Sequence, residues 1–295
     1  MKQATVFKYE AFSDIPDLGN PAGIVFNGDD YSDEEMQMIA EMAGYNETSF
    51  LCKSGEADLR IRYFTPGHEM NLCGHATVAS LYALIEKGRL QADQTYQIET
   101  KAGILPAKAA ERNGRRVYIT LEQAPPQFLP FTGDKEKLAA SLGITAEDFH
   151  SGLPIVYGST GIWTLIVPLR SLKASRNMVP DNAQFPAILR DLPKASVHPF
   201  SLETVHPESD LHGRHFSSPF SGTTEDPVTG TASGVMAAYM RQYGGSEAEC
   251  LTIEQGQEIG KDGKVEIRIA EENGEMNIKM TGTAVYAETI NFQLP

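Results

Sequence analysis

The sequence predicts an α+β protein of two similar halves, each a strand-rich unit around one buried helix. Residues 78–85 carry no charged side chain and are apolar almost all the way round. A helix without a polar face is normally enclosed by its own domain. The pattern then recurs, because residues 234–240 are also uncharged, and Thr229 before them follows Cys73 by 156 positions (229 − 73) in a chain of 295. We therefore interpret the chain as two copies of one unit.

The length and composition agree with two domains of ordinary size. Apolar residues make up 41% of the chain and charged residues 22%, which is typical of a globular protein with enough apolar mass for two cores. The Pro125–Pro126 pair is the expected link. This link divides the chain into an N-terminal domain over residues 1–125 and a C-terminal domain over residues 126–295. The last strand is a candidate to cross into the first domain.

In the first half, local patterns place each element. Clean alternation over residues 59–64 predicts a half-buried strand. Ser32 and Glu35 form a capping box, which predicts a helix that ends near Gly44. Lys87 followed by Gly88 ends the first buried helix. Further strands are expected at residues 5–9, 23–26, 45–51, 96–98 and 117–119.

In the second half the same order of patterns returns. A short helix is expected around residues 138–142 and a weaker one over residues 181–192. Strands are expected at residues 155–157, 163–167, 215–216, 251–253, 265–269, 276–280 and 285–286. Because strands outnumber helices and do not alternate with them, an α+β architecture fits better than a βαβ parallel sheet.

The charge balance and the cysteines restrict partners and compartment. The 39 acidic against 25 basic residues give a net charge of −14, which argues against a nucleic-acid or anionic-membrane partner. Three cysteines are an odd number without metal spacing. The N-terminus lacks the apolar core of a signal peptide, and no apolar run is long enough to span a bilayer. We expect a reduced, cytoplasmic protein.

Both uncharged helices open on small residues, which leaves their first backbone N–H groups free for a ligand. Free N–H groups and the helix dipole make such an end a ready anion site. The sequence therefore predicts that a small carboxylate-bearing substrate binds at Cys73, Gly74, Ala76 and Gly230.

Other familiar sites find no support. His68, Cys73 and His75 stand within eight residues, but they lack i, i+4 helical spacing and a Cys-x-x-Cys pair, so we expect no metal. No Gly-rich nucleotide-binding motif follows a strand, and no serine sits in a G-x-S-x-G elbow. We expect no cofactor.

Two carboxylates and a histidine are the candidates for chemistry. Glu47 stands where a helix ends and an apolar strand begins, so it is either a solvated loop acid or a general acid/base with a raised pKa. Asp226 precedes Pro227 beside the second helix start, where a plain capping role is equally open. His75 lies in the first turn of its helix, where it either only hydrogen-bonds across the domain or, being neutral at a helix N-terminus, is able to exchange a proton.

Six segments resemble the signature of the PhzF-like phenazine-biosynthesis isomerase family, and they come in family order along nearly the whole chain. They are residues 19–22 (GNPA), 46–50 (NETSF), 64–66 (FTP), 72–77 (LCGHAT), 225–232 (EDPVTGTA) and 254–256 (EQG). The resemblance implies the diaminopimelate-epimerase-like fold. That fold has two pseudo-symmetric domains, each a strongly curved, mostly antiparallel sheet around a central helix, with the site in the cleft between them.

The resemblance also implies a cofactor-free, homodimeric isomerase that moves a proton within a cyclic dihydro amino-hydroxy acid. Carried over position by position, Glu47 is the acid/base, assisted by His75, Asp226 and the hydroxyl of Thr231. Three departures bear on the substrate more than on the reaction class: the family often has Ser at Asn46 and at Thr231, and residues 260–263 (GKDG) replace a frequent Gly-Arg-Pro run.

Two alternatives remain. A cysteine-based amino-acid epimerase needs a thiol at both helix starts, one to remove the α-proton and one to return it. Cys73 fills the first place, but Thr229 stands at the second and threonine is no thiolate-type base near neutral pH, so this alternative loses. A non-catalytic small-acid binding protein would keep the helix ends and need no Glu47, and it stays open.

Overall fold

The computed structural model describes residues 2–114, 116–221, 223–272 and 274–294. The chain folds into two compact units, one of residues 1–122 with 281–295 and the other of residues 123–280. The boundary expected at residues 125/126 lies close to the first break between these units. The C-terminal segment is grouped with the first unit rather than the second, because its strand pairs with the N-terminal strand.

The first unit begins with eight strands and two helices in chain order. They are β1 (Gln3–Ala11), β2 (Asn20–Val25), α1 (Asp33–Ala43), β3 (Glu47–Cys52), β4 (Leu59–Phe64), β5 (Glu69–Met70), α2 (Gly74–Glu86), β6 (Gln94–Thr100), β7 (Gly103–Arg112) and β8 (Arg116–Glu122), with a 3-10 turn at Gly28–Asp30.

The second unit contains seven strands and four helices, and an eighth strand leads back to the first unit. They are β9 (Gln127–Pro130), α3 (Lys135–Ser141), β10 (Val156–Ser159), β11 (Trp163–Pro168), α4 (Leu172–Asn177), α5 (Phe185–Ile188), β12 (Ser196–Ser201), β13 (Leu211–Gly213), α6 (Gly230–Gln242), β14 (Cys250–Gln255), β15 (Gly263–Glu272) and β16 (Glu275–Gly282), with 3-10 turns at Ala146–Asp148, Asn182–Gln184 and Gln257–Ile259. The last strand, β17 (Ala284–Gln293), belongs to the first unit.

The sheet of the first unit is mostly antiparallel. β1 pairs antiparallel with β17 and β2, β3 with β4, β6 with β7 and β7 with β8, whereas β2–β3 and β4–β6 are parallel. Helix α2 contacts β1, β2, β3, β8 and β17, so the sheet folds round this helix. Its residues 75–81, 83 and 84 are all buried, as an uncharged helix requires.

The second unit repeats this plan around α6. Antiparallel pairs join β9 to β10, β10 to β11, β12 to β13 and β14 to β15, and parallel pairs join β11 to β12 and β13 to β14. Helix α6 packs against β10 and β15. A Cβ atom at Gly234 would fall 1.9 Å from Oε1 of Gln123, so a larger residue there would have to displace the Gln123 side chain.

The two buried helices confirm the predicted repeat. Each is 13 residues long. Each places a hydroxyl in its first turn that bonds back to the N-cap carbonyl, because Thr77 donates to Cys73 at 2.6 Å and Ser233 donates to Thr229 at 2.8 Å. The α+β class is also confirmed.

Most elements fall where the sequence predicts them, and the exceptions have local causes. The capping box is present, since Ser32 accepts from the backbone of Glu35, and Gly44 ends α1 in a left-handed conformation. The expected helix over residues 181–192 is wrong in length, because only Phe185–Ile188 is α-helical. The sequence does not predict β5, β7, β9, β12, β13 or α4. The strand expected at residues 215–216 is wrong, because only isolated bridges form at Phe216. Among the described residues, no helix is long and apolar enough to cross a membrane.

Candidate active site

The N-terminus of α2 is fixed by a short chain of hydroxyl groups. The Thr77 hydroxyl donates to the carbonyl of Cys73, and the Tyr63 hydroxyl lies 2.6 Å from the same Thr77 oxygen. Tyr63 and Thr77 are both buried. The N-cap side chain of Cys73 makes no capping hydrogen bond. The first turn of α2 is therefore held rigidly, and its N–H groups have no side-chain cap.

Glu47 reaches this helix end from the neighbouring sheet. It is the first residue of β3 and pairs with Ala22 of β2. Its Oε2 lies 3.2 Å from Nε2 of His75, with 16% of the Glu47 side chain and 9% of the His75 side chain exposed. The Oε2 atom is buried and accepts no hydrogen bond of good geometry. A carboxylate oxygen in this state can still accept a proton from a ligand.

His75 lies between Glu47 and Cys73. Its Nδ1 is 3.4 Å from the sulphur of Cys73. Burial on its own would lower the pKa of His75, but the neighbouring Cys73 and Glu47 outweigh it and hold that pKa well above its usual value. This raised pKa favours the protonated form of His75, whereas a helix N-terminus on its own favours the neutral form. Because Cys73 is held as a neutral thiol, the cause that applies is the Glu47 carboxylate beside Nε2.

Cys73 is buried, and burial raises the pKa of its thiol. It is therefore held as a thiol rather than as a reactive thiolate. In the described part of the chain, three possible metal-ligand atoms lie within 4.8 Å of one another, one each from Glu47, Cys73 and His75. His68 is outside this group and contacts Thr65 instead. The two nitrogens of His75 face different partners, because Nδ1 lies near the Cys73 sulphur and Nε2 near the Glu47 carboxylate.

In the second unit, Asp226 is tied to the start of α6. Thr229, the N-cap residue, donates its hydroxyl to Oδ2 of Asp226 at 2.5 Å. Gln255 accepts from the backbone N–H of Thr229 at 3.2 Å and donates to the backbone carbonyl of Asp226 at 2.7 Å. The Asp226 N–H donates to the carbonyl of His215 at 2.9 Å. The Asp226 carboxylate therefore has a defined position relative to the helix start.

The residue before Asp226 is held by an ion pair. Arg214 donates through Nε and Nη2 to the two carboxylate oxygens of Glu225, at 2.9 and 2.8 Å. Its Nη1 donates to the carbonyls of Ser175 and Met178, which end α4. With 5% and 9% of the Arg214 and Glu225 side chains exposed, the pair is buried and bidentate. It fixes the loop that delivers Asp226.

The remaining predicted residues lie in the first turns of the two helices. Gly74 and the buried Ala76 open α2, and Gly230 opens α6. The carbonyl of Thr231 accepts from the hydroxyl of Thr160 at 3.1 Å. The Thr231 hydroxyl itself makes no hydrogen bond within the part of the chain that the structure describes. The first unit thus groups Glu47, Cys73 and His75, and the second groups Asp226 with Thr229.

Sequence reasoning missed two residues that hold the Asp226 cluster and one residue of a separate histidine pair in the second unit. Gln255 belongs to one of the matched segments, so the segment was a signal, but its bonds to Asp226 and Thr229 were not foreseen. Arg214 carries no motif beyond its charge. His198, which contacts His215, gave no signal at all, because only the pairing of β12 with the segment after β13 brings them together.

Comparison with known proteins gives consistent matches. The sequence profile of the PhzC-PhzF family, described as phenazine biosynthesis-like protein, matches residues 9–289. The chain is 71% identical over 289 residues to an uncharacterized isomerase, YfhB, of Bacillus subtilis, covering 98% of each chain. It is 32% identical over 274 residues to the trans-2,3-dihydro-3-hydroxyanthranilate isomerase of Pseudomonas aeruginosa, covering 90% of each.

Solved structures give the same result. A PhzF-family phenazine biosynthesis protein of Bacillus anthracis superposes with a TM-score of 0.97 at 49% identity, covering 100% of both chains. A probable proline racemase of Agrobacterium radiobacter superposes with a TM-score of 0.64 at 12% identity, covering 99% of this chain and 93% of the other. The second match shows the fold alone, and it confirms the epimerase-like architecture.

Proposed function

The chain belongs to the PhzF-like phenazine-biosynthesis family and is an isomerase, and from this premise we propose that Glu47 moves a proton within a small carboxylate-bearing substrate without a cofactor. The observation that carries the proposal is the Glu47 Oε2 atom, which is buried, accepts no hydrogen bond and lies 3.2 Å from His75 Nε2. Such a carboxylate has a free lone pair that can accept a proton, and the cationic neighbour stabilises its negative charge before the reaction.

The proposed step is a proton shift in two halves. Glu47 takes a proton from one carbon of the substrate, so that a C–H bond breaks, an O–H bond forms and the electron pair enters the substrate's double-bond system. The same carboxyl group then returns the proton to a second carbon as the electron pair moves there. Protonated His75 stabilises the carboxylate before and after the cycle.

The substrate class follows from chemistry and from relatives. The Pseudomonas relative is named for a cyclic amino acid with a carboxylate. Neither N-cap side chain of α2 or α6 makes a capping hydrogen bond, so both helix starts offer N–H groups to an anion. We propose a small cyclic carboxylate, with Asp226 placed to orient an ammonium group and the Thr231 hydroxyl free to bond the ligand. A homodimer and a cytoplasmic location stay predictions.

The alternative of cysteine-based epimerisation is disfavoured by two observations. Thr229 occupies in α6 the N-cap place that Cys73 occupies in α2, and its hydroxyl is engaged with Asp226. Burial raises the pKa of the single thiol, Cys73. A two-thiol mechanism lacks its second thiol here.

The test is solvent-deuterium incorporation into trans-2,3-dihydro-3-hydroxyanthranilate, measured by mass spectrometry. We expect incorporation by the native chain and a rate about 10²–10⁴-fold lower for Glu47→Gln, because the amide keeps the shape but can neither take up nor release a proton near neutral pH. Glu86→Gln at the other end of α2 is the matched control, since that carboxylate accepts a hydrogen bond from Tyr9 instead.

Two results would contradict the proposal. Near-native exchange by Glu47→Gln would remove this residue from the mechanism. The second result is binding without deuterium exchange. If the native chain binds a series of cyclic amino acids but incorporates deuterium into none of them, the alternative of a non-catalytic binding protein is favoured.

A further inference from the structure

Two histidines of the second unit face each other across the sheet, and the proposed acid/base chemistry uses neither. His198 of β12 lies opposite His215, in the antiparallel register that pairs Val197 with Phe216. Their Nδ1 atoms are 3.2 Å apart and their ring centroids 5.4 Å apart. Directly opposite side chains on one face of a sheet come this close by geometry alone. The two rings therefore form one hydrogen-bonded unit.

His198 is the inner member of the pair. It is fully buried, and its Nε2 has no hydrogen-bond partner. Gly213 and Met236 lie close to this nitrogen, because a Cβ atom at Gly213 would lie 3.1 Å from Nε2 and 3.6 Å from the methyl carbon of Met236. Met236 belongs to α6, so the pair lies on the side of the sheet that faces this helix. His215, in contrast, is only half-buried.

The surroundings decide which ring donates. Burial lowers the pKa of His198 well below its usual value, with His215 and His212 adding to it, and burial lowers the pKa of His215 to about 4. Both rings are therefore neutral near pH 7, and one proton lies between the two Nδ1 atoms. If His198 accepted that proton, its own proton would sit on Nε2 as a buried donor without an acceptor. Orphaned buried N–H groups are rarer than under-satisfied acceptors, so His198 donates.

We propose that His215 is a substrate-binding residue, held by His198 with its proton on Nε2 as a neutral donor to an oxygen of the substrate at the N-terminus of α6. The carbonyl of His215 accepts from the backbone N–H of Asp226, so the backbone of His215 is bonded to the loop that leads into α6. In the described part of the chain, the Nε2 of His215 makes no hydrogen bond. The inference rests on the proposed function only for the class of ligand, a small carboxylate.

The first test needs no ligand. Nitrogen-15 NMR of the histidine rings at pH 7 reports which ring nitrogen carries the proton. We expect the proton on Nδ1 in His198 and on Nε2 in His215. In His198→Phe the donor to His215 is lost, and we expect His215 to become a mixture of both tautomers. A native His215 that is charged, or that carries its proton on Nδ1, would overturn the inference.

The second test is binding of benzoate, the simplest aromatic carboxylate, followed by the same NMR signals. We expect saturable shifts of the His215 ring and about tenfold weaker binding by His215→Phe, the cost of one hydrogen bond to a charged oxygen. His215→Gln, whose amide N–H can stand in, should bind within about twofold of the native chain. His150→Phe is the matched control, because the ring of His150 accepts from Gly152 instead.

The outcomes separate this inference from the proposed function. Undiminished benzoate binding by His215→Phe, or no shift of the His215 signals in the native chain, refutes the role of His215 even if Glu47-dependent exchange is present. The expected tautomers with the expected binding losses support it even if no deuterium is incorporated. If His215→Phe does not fold, the tautomers of the native chain and benzoate binding by His215→Gln still test the role of His215.

Discussion

The Nε2 atom of His75 lies 3.2 Å from Oε2 of Glu47, which joins the first turn of α2 to the first residue of β3. The two residues are 28 positions apart in sequence (75 − 47), and each lies at the start of its element. Because both side chains are largely buried, the contact is screened little by solvent. We therefore expect the loss of either charge to affect both the proposed chemistry and the stability of the fold.

His75→Gln is expected to lower kcat about 10²-fold, because the variant loses the cation beside the proposed base. The pH dependence of stability gives a second measurement. The pKa of His75 is raised in the folded chain above its usual value of 6.5, so its contribution is fully present below pH 6.5 and is lost as pH rises through the folded pKa. In urea unfolding, the native chain should have a higher free energy of unfolding than His75→Gln at low pH, and this advantage should disappear at alkaline pH. An advantage that grows with pH would contradict the raised pKa.

Cys73→Ser is expected to keep near-native turnover. The thiol has no partner thiol in α6, where Thr229 stands, and burial keeps it protonated. Serine preserves the N-cap position and costs at most about 1 kcal/mol of unfolding free energy through lost apolar contact. Steady-state kinetics and a denaturation curve measure both effects. A well-folded Cys73→Ser chain without activity would return the epimerase mechanism to consideration.

Much of this architecture could be predicted because it depends on local pattern. The uncharged stretches of α2 and α6 can be stable only when enclosed, and the Ser32–Glu35 capping box and Gly44 bound α1 by bonds within a few residues. Strands with clean alternation, such as β4, were likewise placed correctly. These elements can be predicted from the composition and spacing of their own residues.

The candidate site was only partly predictable, because its remaining contacts depend on register. His198 meets His215 through the pairing of β12, a strand interrupted by Pro199 and without alternation. Arg214 meets Glu225 through a loop that turns back on itself. A protonated His75 could not be foreseen either, because the distance from its ring to Glu47 is set by the packing of α2 on β3. No local pattern encodes such distances.

Glu254→Gln is expected to destabilise the second unit by about 3 kcal/mol near neutral pH. The Glu254 side chain is fully buried and contacts His212 at 3.0 Å. It also accepts from the backbone N–H groups of Val205 and His206. Burial alone would raise the pKa of Glu254, but the hydrogen bonds from His212, Val205 and His206 lower it to about 2.

The sign of the pH effect follows from that depressed pKa. The contribution of Glu254 is present above its usual value of 4.5 and is lost as pH falls through about 2. The stability gap between the native chain and Glu254→Gln should therefore narrow in acid, as measured by urea unfolding between pH 7 and 2. Glu271→Gln is the control, because that carboxylate lies exposed near the end of β15. A gap that stays constant with pH would contradict the depressed pKa.

Asp226→Asn is expected to separate charge from position at the start of α6. The asparagine oxygen can still accept the Thr229 hydroxyl bond, and Gln255 still holds the backbone, so the melting temperature should change little. The negative charge is lost, and if Asp226 orients a substrate ammonium, KM should rise about tenfold or more.

Thr229→Val is the complementary variant, since it keeps the charge but removes the hydroxyl that positions it. We expect it to lower kcat with a smaller change in KM. Kinetics of both variants with an amino-substituted and an amino-free cyclic acid measure the difference: Asp226→Asn should discriminate less between the two acids than the native chain. Unchanged discrimination would assign Asp226 a capping role alone.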